Sequence, residues 1–160
     1  MPIAADASAP NDFDFIIGDW RVKHSRLKER FADCDEWVEF AGLSSTAKIL
    51  GGWGNLEDNL LDFPDGLFRA VALRSYCRKS QTWSIWWLDG RNPTRLDAPV
   101  VGKFTNGLGI FFADDVLNGQ AIKVRFIWSV CNENPRWEQA FSNDDGSTWE
   151  TNWRMEFRRI

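Results

Sequence analysis

The chain predicts an all-β fold: an antiparallel up-and-down meander barrel of about ten strands, with little helix. Three observations predict it. Apolar and polar residues alternate with a period of two in the clearest patterned segments. Turn dipeptides punctuate the chain at short intervals. Beyond one turn near the start, no stretch carries the spacing of an amphipathic helix.

The elements follow in order. Residues 1–12, with Ala, Pro and Ser and no periodicity, are expected to form a flexible tail, and residues 13–160 one barrel domain. Phe13 to Ile17 reads as a helical turn capped by Asn11 or Asp12 and stopped by Gly18. Strands are expected to begin near Trp20, Glu36, Asn55, Leu67, Gln81, Val100, Leu108, Ala121, Arg136 and Thr148. Gly51-Gly52, Pro64-Asp65-Gly66, Arg78-Lys79-Ser80 and Asp89-Gly90 separate the earlier strands. Asn106-Gly107 and Asn118-Gly119 read as tight hairpins, and Asp144-Asp145-Gly146 makes a further turn. Short connections let sequence neighbours pair, and closure of the meander removes exposed edges.

Two strands show the rhythm best. Ile122, Val124, Phe126, Trp128 and Val130 share one face, opposite Lys123, Arg125, Ile127 and Ser129. Trp149, Thr151, Trp153, Met155 and Phe157 are expected on one face of the last strand, with Glu150, Asn152, Arg154, Glu156 and Arg158 on the other. In Trp83-Ser84-Ile85-Trp86-Trp87-Leu88 both faces are apolar, so the outer one needs a cover. A second copy of the chain, giving a homodimer, is one expectation; the loop from Arg91 to Pro99 folding back is the other.

Composition excludes several function classes. Nineteen Lys and Arg stand against 23 Asp and Glu, a net charge of −4, which gives no general attraction to phosphate backbones or anionic membranes. Neither nucleic acid nor membrane is expected as a partner. No apolar run approaches the ~18–20 residues of a spanning helix. The N-terminal residues lack a basic and an apolar region of a secretory leader, so a cytoplasmic location is expected. Cys34, Cys77 and Cys131 form no C-x-x-C pair and are expected as buried, inert thiols. His24 is the only histidine, which rules out multi-histidine metal sites. No cofactor and no metal are expected; a haem would have to use His24 or a cysteine.

Two motifs add resemblances. Gly18-Asp19-Trp20 at the start of the first strand resembles the opening motif of lipocalin-like, or calycin, barrels. There the Trp closes one barrel end and an Arg near the last strand packs over its indole, a role the resemblance assigns to Arg154 or Arg158. Three longer runs widen the likeness: Trp20-Arg21-Val22-Lys23-His24, Trp83 to Asp89 with Arg91-Asn92-Pro93, and Arg136 to Ser142. With Thr148 to Trp153 they resemble an uncharacterised bacterial lipocalin-like family, which implies the barrel and no reaction. Ser142-x-Asp144-x-Gly146-x-Thr148-Trp149 is similar to the Asp-box of sialidases and related propellers. It occurs once, without the repeats a propeller needs, and therefore implies a hairpin and not that architecture.

Candidate site residues follow from strand parity. Trp20, Val22 and His24 share a face, which brings His24 inward. Gln139 and Thr151 are polar positions on otherwise apolar faces, and Arg74 joins them if Phe68 and Ala72 point inward. Asn55, Glu57 and Asn59 alternate with Leu56, Asp58 and Leu60, and either set can face in. Trp87 supplies an apolar wall. Polar groups among aromatics mark a small-molecule pocket. The expected ligand-binding set is therefore His24, Glu57, Asn59, Arg74, Trp87 and Gln139, holding a small apolar or amphipathic molecule. One alternative is an enzyme using His24 with a carboxylate as acid and base. Another is a dimeric assembly or regulatory module with a filled barrel.

Overall fold

The computed structural model describes residues 3–160. Its strands are β1 (Gly18–Leu27), β2 (Trp37–Ile49), β3 (Gly54–Phe63), β4 (Gly66–Cys77) and β5 (Thr82–Asp89). They continue as β6 (Val100–Thr105), β7 (Leu108–Leu117), β8 (Gln120–Cys131), β9 (Asn134–Ser142) and β10 (Glu150–Arg159). Each starts within two residues of its expected position. Every strand pairs antiparallel with its sequence neighbours, and β10 returns to β1, so the sheet is a closed up-and-down barrel. Among the described residues no helix is long and apolar enough to cross a membrane.

Hairpin chemistry sets the register. Asn106-Gly107 and Asn118-Gly119 both have positive φ at each turn residue, the geometry that matches the twist of paired strands. Asn132-Glu133 makes the same turn without a glycine, with φ of 51° and 66°, and so left no signal in the sequence. The Ser142 to Trp149 segment is the expected hairpin turn between β9 and β10. Thr148 donates its backbone N–H to Asp144 Oδ1 at 2.8 Å, and Gly146 donates to Ser142 Oγ at 2.8 Å. Bonds from Thr148 and Ser142 hold the Asp144 carboxyl down at about 2.

One barrel end is plugged. Asp14–Ile16 forms a single 3-10 turn beneath the start of β1. Phe13 enters the barrel edge-on to Trp83 and Phe104, at 5.0 and 4.9 Å, and lies 6.0 Å from Trp128. Trp20 donates its indole N–H to the Ile16 carbonyl at 2.8 Å. Along the tail, Asp6 N–H donates to the Gly51 carbonyl, and Trp53 and Trp83 donate to the Asp6 and Asp12 carboxylates.

Four expectations are corrected. The guanidinium over Trp20 is that of Arg159, 4.1 Å from the ring, and not of Arg154 or Arg158. The inner-face parity of β10 runs through Phe157 to Arg159, while Arg154 lies over Trp37 outside. Thr151 is not an inner polar residue. The register of β10 slips between Thr151 and Trp153, and this bulge reverses the parity of everything before it. Asn152 is the fully buried residue instead, and Trp149 packs against Phe112 on the outer face. The cysteines are not buried: Cys77 is exposed and Cys34 and Cys131 are intermediate, because they sit in a loop and at strand ends.

The outer face of β5 receives part of its cover from the chain itself. Leu88 forms a bridge with Leu96, and Asp97 N–H donates to the Trp87 carbonyl at 3.0 Å. Trp83 and Ile85 are buried inward, leaving Trp86 and Leu88 half-buried outside.

Candidate functional site

Inside the barrel the ambiguous third strand resolves to its polar face. Asn55, Glu57 and Asn59 are all buried, while Leu56 is exposed. Burial of these polar groups is tolerated because β4 brings Arg74 to meet Asn55 and Glu57, while the Asn59 amide donates to the Glu57 backbone carbonyl at 3.3 Å. Arg74 sits opposite Asn55 in the β3–β4 register. Its guanidinium donates to Asn55 Oδ1 at 2.8 Å and forms an ion pair with Glu57. Both side chains of the pair are almost completely enclosed, so each depends on the other for its charge. The flat faces of Arg74 lie 5.1 Å from the Phe13 and Trp128 rings. The plug thus backs directly onto the ion pair.

Between this floor and the other barrel end lies a cavity of about 340 Å³. Its walls are aromatic. Trp153 stands near-perpendicular to Trp87 and Trp137, with centroids 6.4 and 5.8 Å away, and Trp137 meets Phe126 edge-on at 4.9 Å. Phe68, Ala72, Ile85, Trp128, Phe141 and Met155 extend the apolar surface. Small polar contributions come from Gln139, whose amide donates to Asn152 Oδ1 at 2.8 Å. Arg74 Nε and Trp128 Nε1 are buried donors with no partner among the described residues, and both residues line the cavity.

The mouth is charged. Arg26, Arg30 and Arg91 line it together with Asp89, Asn92 and Asp97. Arg91 and Asp89 form a forked pair, with Nη2 to Oδ2 at 2.7 Å and Nε to Oδ1 at 3.0 Å. Arg26 stacks on Trp153 and Phe63 at 5.1 and 5.6 Å, and Arg30 on Phe141 at 5.1 Å. Burial, then the like charge of Arg26, lowers Arg30 to about 10. Burial and Asp115 push the Asp97 carboxyl up. A further depression of about 590 Å³ adjoins the rim and shares Arg26 and Arg30.

Of the expected set, Glu57, Arg74, Trp87 and Gln139 come together on the cavity wall. His24 and Asn59 are buried but do not line it. His24 stacks flat on Phe40, with centroids 4.6 Å apart, and its Nδ1 accepts the Trp153 indole N–H at 3.1 Å. Desolvation lowers it to about 4, so the ring is neutral around pH 7 and carries its proton on Nε2. His24 therefore positions Trp153, which does face the cavity. The two groups an acid/base pair would join are each engaged elsewhere: His24 by Trp153, Glu57 by Arg74.

Sequence reasoning missed the mouth. Arg26 continues the inward parity of Trp20, Val22 and His24 and was legible in principle. Arg30 and Arg91 lie in connections between strands, where no periodicity assigns a direction. Among the described residues no three His, Cys, Asp or Glu side chains gather as metal ligands. No family model matches the chain, and no curated protein matches it.

Proposed function

We propose that this chain is a lipocalin-like binding barrel that holds one small apolar or amphipathic molecule in its interior. The aromatic cavity of about 340 Å³ carries this proposal. A barrel this size can be filled by side chains alone, and here the closed end is filled while the other is not. The volume falls at the lower end of the ~300–1,000 Å³ range of small-molecule sites, and apolar walls with few polar groups are their usual lining. Trp87, Trp137 and Trp153 offer three indole surfaces to a flat ring. The plugged end, with Arg159 over Trp20, supports the lipocalin-like assignment.

Isothermal titration with naphthamide, a neutral aromatic probe, tests this. Saturable one-to-one binding is expected in the wild type and none in Ala72→Trp, which fills the cavity from the β4 wall. Absence of binding, or equal binding to the filled variant, would overturn the proposal.

A further inference from the structure

Arg26 and Arg30 are an unusual pair of cations. Both are partly withdrawn from water, and each rests a guanidinium face on an aromatic ring. Ion pairs elsewhere join Lys23 to Glu39, Lys28 to Glu36, Lys48 to Asp14, Arg74 to Glu57, Arg91 to Asp89, and Lys123 to Asp114 and Asp145. Neither Arg26 nor Arg30 has a carboxylate partner at that distance among the described residues. Glu150 lies close enough to Arg30 to be felt, yet its Oε1 accepts the Phe31 backbone N–H at 2.9 Å. The buried Nε of Arg30 has no hydrogen-bond partner among the described residues.

Stacking uses the faces of a guanidinium and leaves its in-plane N–H edge for an acceptor. Two such edges at the rim of an aromatic cavity fit a planar anion. The floor offers no equivalent fork, because Arg74 commits its terminal nitrogens to Asn55 and Glu57 and leaves only its Nε, with Trp128 Nε1, unpartnered among the described residues. Arg91 is likewise satisfied by Asp89. Among the described residues Asp97 is the one acid on the cavity wall not matched in this way, and burial favours its neutral form.

We propose that the mouth recognises a carboxylate: the ligand is a small aryl or acyl acid whose apolar body enters first and whose carboxylate stays between Arg26 and Arg30. This rests on the binding-barrel assignment above and adds the chemical class of the ligand and its direction of entry. A head-out anion would satisfy the two unpaired guanidinium groups without disturbing the buried Arg74–Glu57 pair.

Titration with naphthoate and with naphthamide separates the two claims, since the probes differ only in charge and hydrogen bonding at one end. Naphthoate is expected to bind the wild type at least about tenfold more tightly, the size of a charge-assisted contact. That preference should fall toward unity in Arg26→Gln and in Arg30→Gln, because naphthoate loses more affinity than naphthamide does. Raising salt from about 0.05 to about 0.5 M should weaken naphthoate alone, a wild-type readout that stands even if a variant fails to fold. Equal affinity for the two probes, a salt-independent naphthoate affinity, or a preference untouched in well-folded variants would overturn the carboxylate assignment and leave the binding barrel standing. Binding of neither probe would overturn both.

Discussion

The two ends of this barrel are built from the same residue types and behave differently. At the closed end Phe13, Trp20, Trp83, Phe111 and Trp128 are packed to near-complete burial. At the open end Trp87, Trp137 and Trp153 are as bulky, yet they surround a cavity. Strand pattern does not distinguish them, because β1, β5 and β8 run through both. The difference is the plug: a single 3-10 turn inserts Phe13 from outside the sheet, whereas among the described residues no helical turn crosses the other end, where the β1–β2 loop brings only the half-buried Phe31 to the core. Aromatic content alone therefore does not decide whether a small barrel is solid or hollow. The segments leading into it do.

The Arg74–Glu57 pair marks the boundary between the ends, and breaking it is the largest perturbation. Glu57→Ala leaves a buried guanidinium uncompensated and should cost about 3–5 kcal/mol in urea unfolding. A loss under about 1 kcal/mol would mean that water already screens the pair. Removing the plug comes next. Phe13→Ala should cost about 3 kcal/mol, the lower part of the range for a buried Phe, because the site lies at an end that can partly collapse. It should also admit a probe from the closed side; an unchanged melting curve would show that Phe13 does not hold that end.

His24 allows a subtler test, since it holds Trp153 in place without lining the cavity itself. Its folded value of about 4 lies below its ordinary 6.5, so the unfolded chain binds the extra proton first. Stability from this group is complete above pH ~6.5 and falls as the pH drops toward 4. By pH 5 the loss should reach about 2 kcal/mol at ~1.36 kcal/mol per unit. His24→Gln, whose side-chain carbonyl can still accept from Trp153, should remove that slope between pH 5 and 6.5. Equal slopes in variant and wild type would refute the burial argument.

How much was legible beforehand divides along the same line. Alternation and turn residues located all ten strands, because turn chemistry bounds each strand and most inward faces are apolar. His24 and Gln139 could be placed by parity for the same reason. Thr151 could not, since a bulge is a local choice that no alternation announces, and it exchanged Thr151 for Asn152 inside the barrel. Glu57 remained ambiguous because its strand alternates polar with apolar in a pattern either face could own; only Arg74 on the neighbouring strand settles it. Apart from Arg26, the mouth was hidden for a different reason. Arg30 and Arg91 take their positions from loops, whose direction depends on what they pack against.

The smallest effect gives the sharpest comparison, because the same contact occurs at both ends. Arg159 lies 4.1 Å from the Trp20 ring at the closed end, and Arg26 lies 5.1 Å from the Trp153 ring at the mouth. If the ends differ only in packing, removing either cation should matter alike. If the mouth is a recognition site, the two should separate. Arg159 also donates to the Ile17 carbonyl at 3.1 Å, so it ties the plug to the last strand. Arg159→Gln should therefore lower stability by about 0.5–1 kcal/mol, the usual worth of a cation–aromatic contact at an accessible site, and leave naphthoate affinity unchanged. Arg26 gains a similar contact but suffers desolvation, which lowers its proton affinity, and the like charge of Arg91 adds to this. Its replacement by Gln should leave stability within about 0.5 kcal/mol of the wild type while removing the preference for the acid over the amide. The comparison fails if Arg159→Gln alters that preference, or if Arg26→Gln destabilises the barrel more than Arg159→Gln does; either result would make the mouth arginines structural, like those of the plug.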